Sequence, residues 1–332
     1  MMTKLPACLI ALFFVVVTPS YAKAPPSESQ FEHVLNTAHA LYKDVQEGEN
    51  ADYIPALAKV DANLFGIALV TAKGKVYTKG DIDTEFSIQS ISKVFTLSLA
   101  MEQQGADAIQ EKIGVNATGL PFNSVTAIEL NQARSVNPLV NAGAMATVSL
   151  LDGDTDKQKW DSISHWYNDF ANRKLTVLDD IYQSESATNG HNRAIAELLK
   201  SYDRFYGDVD LALDVYTRQC SVGVTTKDLA MMASVLANAG VHPITGKKLM
   251  EPENVSRVLA VMTTAGLYET SGDWAYQVGL PAKSGVGGGI IAVVPGKFAI
   301  AVFSPKLDKA GNSVRAQLAI DYIADKVDVK IF

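Results

Sequence analysis

The sequence predicts an α+β fold: one antiparallel sheet assembled from both ends of the chain, flanked by helices, with a helical lobe between. Two observations carry this. Apolar, strand-forming runs bounded by turn residues occur early, at 64–70 and 76–77, and return only late, at 283–294 and 297–303. Between them the apolar residues recur at helical spacing from Ser90 to about Met262. The two ends must therefore meet to complete one layer, and the middle must pack as a lobe against it.

Taken in order, residues 30–47 read as a helix. The first two strands flank Lys73-Gly-Lys75, a hairpin signal. Helical stretches follow at 90–104, 137–151, 157–172, 190–205, 207–219, 226–238 and 251–263. Thr118-Gly-Leu-Pro121 and Gly240-Val-His-Pro243 punctuate them. Pro295-Gly296 separates the two late strands, and a final helix covers about 312–326. No repeat, low-complexity run or linker divides the chain. Residues 23–332 therefore read as a single domain, with its sheet part at about 29–89 and 280–332 and its helical lobe at about 90–279.

Residues 1–22 read as a signal peptide. Lys4 gives a short basic start, residues 9–17 an apolar core, and Thr18-Pro-Ser-Tyr-Ala22 a cleavage site, with Ala24 as the alternative cut. The apolar run is too short to span a bilayer stably, so the mature chain is expected to be free of the membrane and periplasmic, or else secreted. Uncleaved protein in the cytoplasm after cell fractionation would remove the basis for that expectation. Cys8 precedes the apolar core, where a lipoprotein box would follow it. Cys220 is then the one cysteine of the mature chain, so no internal disulfide forms. With no histidine nearby, it reads as a small buried residue rather than a nucleophile.

A net charge of −7 with no basic block argues against nucleic acid or an anionic membrane surface as partner. The expected substrate is small and held in a pocket. His33, His39, His165, His191 and His242 show no ligand spacing, so neither a metal nor another cofactor is expected.

The chemistry-bearing signal is Ser90-Ile-Ser-Lys93, an S-x-x-K at the opening of a predicted helix. Residues three apart share a helix face, which sets the Lys93 amine beside the Ser90 hydroxyl. A desolvated lysine can take the proton that a serine must lose to become a nucleophile. The plainer alternative makes Ser90 an N-cap and Lys93 a solvated charge. A second stretch, Lys283-Ser-Gly-Val-Gly-Gly-Gly289, lacks the spacing of a phosphate loop. Its glycines suit either a bulge or close approach by a ligand or another backbone.

S-x-x-K followed much later by K-[ST]-G occurs in serine β-lactamases and penicillin-binding proteins, and Ser135-Val-Asn137 imitates their middle S-x-N element. Six blocks in order resemble a nearer family. They are Ala51-Asp-Tyr-Ile-Pro55, Ile88-Gln-Ser-Ile-Ser-Lys-Val-Phe95, Asn137-Pro-Leu-Val-Asn-Ala-Gly143, Glu185-Ser with Asn192-Arg193, Tyr216-Thr-Arg-Gln-Cys-Ser221, and Lys283-Ser-Gly-Val-Gly-Gly-Gly-Ile290. Across about residues 30–325 the chain resembles the bacterial and mitochondrial glutaminases, which share the β-lactamase-like fold.

That resemblance implies hydrolysis of the L-glutamine side-chain amide to glutamate and ammonia. It implies Ser90 as nucleophile, Lys93 as general base and Tyr216 as the relay that protonates the departing ammonia. The backbone N–H groups of Ser90 and Val286 would form the oxyanion hole. Tyr53, Asn141, Glu185, Asn192 and Tyr268 would line the substrate pocket, and Lys283 would orient the site. It also implies a homodimer or homotetramer. Two competing readings remain open: a β-lactam-interacting enzyme of the same fold class, and a non-catalytic binding protein that kept the fold. Labelling of Ser90 by a reporter β-lactam separates off the first, and glutamine binding without turnover the second.

Overall fold

The computed structural model describes residues 26–131 and 136–331. The N-terminal segment with its two cleavage positions, Cys8 and Ser135 lie outside the described residues.

The strands are β1 (Gly66–Thr71), β2 (Val76–Gly80), β3 (Phe86–Ser87), β4 (Gly223–Val224), β5 (Ala282–Gly285), β6 (Gly289–Val294) and β7 (Phe298–Phe303). The helices are α1 (Glu28–Tyr42), α2 (Ser92–Gln104), α3 (Ala106–Lys112), α4 (Val125–Leu130), α5 (Asn141–Leu150), α6 (Asp156–Ala171), α7 (Asp179–Ala187), α8 (Gly190–Ser201), α9 (Val209–Cys220), α10 (Thr226–Ala237), α11 (Pro252–Ala265), α12 (Ser271–Gln277) and α13 (Val314–Lys326).

Five strands pair antiparallel in the order β2-β1-β7-β6-β5, so the early hairpin and the late strands do form one sheet. The join is β1 against β7, with Ile67 opposite Val302 and Leu69 opposite Ile300. Side chains alternate across a strand, and here the alternation sorts them into two cores. Ile67, Leu69, Ile290, Ala292, Ile300 and Val302 pack with α1 and α13 on one face. Ala68, Val70, Ile291, Val293, Ala299 and Ala301 face the other way, under α10 and the lobe. Both faces are covered, which is why these strands read as continuous apolar runs rather than as an alternating pattern.

Several expected boundaries move for local reasons. The stretch 283–294 is two strands, not one, because the chain turns at 286–288, with Gly288 at φ 100°. The first helix stops at Tyr42 rather than 47. The helix expected over 137–151 starts at Asn141, because the Asn137 side chain takes the Leu139 N–H at 3.0 Å and holds a turn across Pro138. The helix expected over 190–205 ends at Ser201, followed by Asp203 at φ 56°. The short helices α3, α4, α7 and α12 were not anticipated. At six to nine residues each they show too few turns for a periodic signal.

Candidate active site

Ser90 does not open a helix. It sits in a 3-10 turn, Gln89–Ile91, two residues before the start of α2. The preceding Gln89 has φ 47°, a conformation that disfavours L side chains. Such strain persists only where the surroundings enforce it. Here β3 pairs with β4, and Ile88 N–H donates to the Val222 carbonyl at 2.8 Å. The segment before Ser90 is thereby fastened to the segment that leaves α9, the helix carrying Tyr216.

The i, i+3 geometry survives the change of helix type. Lys93 Nζ lies 3.1 Å from Ser90 Oγ and 2.7 Å from Asn141 Oδ1, and the lysine is buried. Burial holds its pKa down to about 8, against weaker upward pulls from Cys220 and Glu185. Both hydrogen-bond partners are neutral, so little in the site insists on an ammonium. The alternative of a solvated lysine is thereby excluded. Asn141 gains its position as the first residue of α5, with its own N–H on the Phe122 carbonyl at 2.9 Å.

The two tyrosines divide. Tyr216 donates to Asn141 Oδ1 at 3.1 Å, the oxygen that also receives Lys93. Tyr268 stands against Ser90 and Ser284, donating to the Ser284 carbonyl at 3.3 Å. Burial pushes its hydroxyl up to about 12 despite those two hydrogen bonds, and drives Tyr216 upward as well. Both are proton donors at neutral pH.

Glu185, on α7, is buried and accepts from Gln89 Nε2 at 3.3 Å. Desolvation raises its carboxyl to about 7, offset in part by Gln89 and Lys93. Asn192, on α8, accepts from Asn141 Nδ2 at 2.9 Å. Tyr53, half exposed, stands at the rim. Its loop is held by Ile54 and Leu57 packing on Ile181, Val286 and Leu307. Tyr53, Ser90, Asn141, Glu185, Asn192, Tyr216 and Val286 line one cavity of about 100 Å³; Tyr268, expected in that lining, is not among its residues.

The glycine-rich stretch answers its own question: another backbone approaches. A β-carbon at Gly285 would stand 2.9 Å from the Ile88 carbonyl oxygen and 3.3 Å from Ser90 N; one at Gly287 would stand 2.5 Å from the Ser87 carbonyl oxygen. The turn carrying Val286 therefore lies directly on the Ser87–Ser90 backbone. Lys283 is buried behind it, donating to the Gly266 and Ser284 carbonyls at 3.0 and 2.6 Å, with its amine 4.2 Å from the Tyr268 ring centre. It supports the wall of the cleft and does not line it.

Some lining residues escaped sequence reasoning, notably Gln89, Phe122 and His191. Gln89 lies inside a quoted block, and its polar side chain one residue before the serine was the available signal. Cys220 is buried, its thiol pushed well up by desolvation, and it forms part of the cavity wall beside Tyr216. Asn137, from the S-x-N look-alike, is fully buried and bonds to the Asn116 carbonyl at 2.9 Å, away from the lining. Among the described residues no group of three or more His, Cys, Asp or Glu side chains is placed to hold a metal. Among them, too, no helix is long and apolar enough to cross a membrane.

A buried Ser/Lys pair on the seam between an antiparallel sheet and a helical lobe defines the class: a hydrolase of β-lactamase-like fold. The glutaminase family profile matches residues 48–332. The glutaminase of Colwellia psychrerythraea is 73% identical over 307 residues, 92% of this chain and 99% of that one. That of Brucella canis is 55% identical over 306 residues, 92% and 96% of the two chains. Among solved structures, the probable glutaminase ybaS superposes with a TM-score of 0.91 at 48% identity, covering 92% of this chain and 99% of its own. A probable glutaminase from Bacillus subtilis, complexed with 6-diazo-5-oxo-L-norleucine, gives 0.81 at 29% identity over 93% and 99%. The chain belongs to the glutaminase family, and its activity is the hydrolysis of glutamine.

Proposed function

We propose that this chain hydrolyses the side-chain amide of L-glutamine through a γ-glutamyl ester on Ser90, with Lys93 as the base. The observation that carries the reading is the buried Lys93 amine 3.1 Å from Ser90 Oγ, with its pKa lowered toward neutrality. Neutral Lys93 takes the Ser90 proton as Oγ bonds to the amide carbon. The carbonyl oxygen gains charge between the backbone N–H groups of Ser90 and Val286, where such donors act most strongly. Collapse breaks the C–N bond, and the departing nitrogen takes a proton from the Lys93, Tyr216 and Tyr268 cluster. Water then adds to the ester, giving a proton to the same cluster; collapse breaks the bond between Ser90 Oγ and the carbonyl carbon, the cluster returns that proton to Oγ, and glutamate leaves.

Recognition divides by charge. Glu185 suits the substrate ammonium, while Asn141, Asn192 and Tyr53 hydrogen-bond the carboxylate without adding charge. Buried polar groups that a poorer ligand leaves unpaired discriminate strongly. The ligand named in the Bacillus subtilis structure, an L-amino acid of similar length, fits this division. The test is rapid acid quench during glutamine turnover. Glutamyl mass on the Ser90 peptide, with equimolar ammonia and glutamate in solution, is the expected result. Turnover with no trapped ester at any quench time would overturn the covalent step.

The two shifted groups set a pH profile. Glu185 must be ionised to pair with the ammonium, and Lys93 must be neutral to accept a proton; both needs are met by deprotonation. kcat/KM is therefore expected to rise with pH through about 7 and about 8, and to fall again where the free substrate's α-ammonium loses its proton. Glu185→Gln is expected to raise KM by roughly two orders of magnitude, because the ammonium loses its buried counter-charge. It should also leave a single ionisation on the acid limb, which a kcat/KM profile of the variant would reveal.

A further inference from the structure

Asn312 takes no part in the cleft lining and belongs to none of the six recognised blocks, yet it is completely buried. Its side chain joins two pieces of the active-site wall. Oδ1 accepts from Ser284 Oγ at 2.6 Å. Nδ2 donates to Thr270 Oγ1 at 3.0 Å and reaches the Leu267 carbonyl at 3.5 Å. Its own position is set by Asp308, whose Oδ1 takes the Asn312 N–H at 3.0 Å and whose N–H donates to the Asn312 carbonyl at 2.8 Å.

What it joins matters more than the bonds themselves. Leu267 and Thr270 bracket Tyr268, which is held at φ 56°, a strained conformation that its surroundings must impose. Ser284 lies on β5 two residues before Val286, and its carbonyl receives both the Tyr268 hydroxyl and Lys283 Nζ. An amide side chain accepts from the serine hydroxyl through its oxygen and donates to a second side chain through its nitrogen, while remaining uncharged in a buried place.

We infer that Asn312 is a positioning residue, tying the Tyr268 turn to β5 and so fixing the Tyr268 hydroxyl and the Val286 N–H relative to Ser90. The inference rests on the glutamine reading above. It places a determinant of turnover in the loop before α13, on no element that carries the Ser/Lys pair. A misplacement of about 1 Å at a reacting centre can cost on the order of a hundredfold in rate. The residues assigned to the substrate ammonium and carboxylate stand on α5, α7, α8 and the Tyr53 loop, and make none of these bonds. Losses should therefore fall on kcat and spare KM.

The experiment measures kcat, KM and thermal midpoint for Ser284→Ala, Asn312→Ala and the double variant. Ser284→Ala, which breaks one link, is expected to lower kcat about tenfold, and Asn312→Ala about a hundredfold. KM for glutamine should stay within about threefold of wild type. The double variant should be no worse than Asn312→Ala, because both changes cut one connection. Wild-type kcat in folded variants, losses expressed in KM, or multiplying effects in the double variant would each overturn the inference. If Asn312→Ala does not fold, Ser284→Ala decides alone, and wild-type kcat there is disproof. Absence of turnover in the wild-type protein would instead sink the glutamine reading, which keeps the two failures apart.

Discussion

Ser90→Ala is expected to abolish glutamine hydrolysis, lowering kcat by on the order of 10⁴-fold or more while leaving glutamine binding measurable. The hydroxyl is the one atom in the cavity placed to attack with a buried amine in contact behind it. Its removal leaves Lys93 bonded to Asn141 Oδ1 at 2.7 Å, so the fold loses one buried hydrogen bond and no packing of consequence. Calorimetric titration of the variant with glutamine, beside a coupled ammonia assay, checks both halves. A variant with a tenth of wild-type activity would mean that water, not Ser90, attacks the amide.

Lys93→Met is expected to be nearly as severe, at roughly 10³-fold in kcat, with a different signature in stability. General-base removal alone typically costs 10²–10⁴-fold. Methionine fills much of the same volume, and the variant no longer buries an amine between two neutral partners. Replacing a buried ionisable group by an apolar one of similar size is often neutral or stabilising, so the thermal midpoint should not fall. The double variant with Ser90→Ala should be no slower than Ser90→Ala alone, since the two act as one unit. Additive losses would mean that Lys93 serves some step other than activation of Ser90. Parallel kinetic and melting measurements on the three variants settle the matter.

The parts of this protein differ sharply in how legible they were. The Ser90/Lys93 pair could be read because i, i+3 proximity holds in a 3-10 turn running into a helix much as it does within one. The sheet could be read because its strands are apolar on both faces and lie at opposite ends of the chain. Asn141, Glu185 and Asn192 came through resemblance alone. Their meeting depends on how α5, α7 and α8 pack, and spacing along the chain says nothing of that. The strained backbones at Gln89 and Tyr268 left no trace in residue type, because neither is a glycine or an asparagine. Asn312 was equally silent: its partners at 267, 270 and 284 become neighbours only in the folded state.

The turn carrying Val286 lies on the backbone of Ser90, and the two come from opposite ends of the helical lobe. A ribosome-bound chain that has not yet emitted residue 286 therefore holds its serine and lysine but lacks the Val286 N–H, one of the two donors proposed for the developing oxyanion. On the proposed chemistry a copy still lacking that donor turns over about 10²–10³-fold more slowly, so full catalysis waits on the completion of synthesis, and the onset of rapid ammonia release would report that the two chain ends have met.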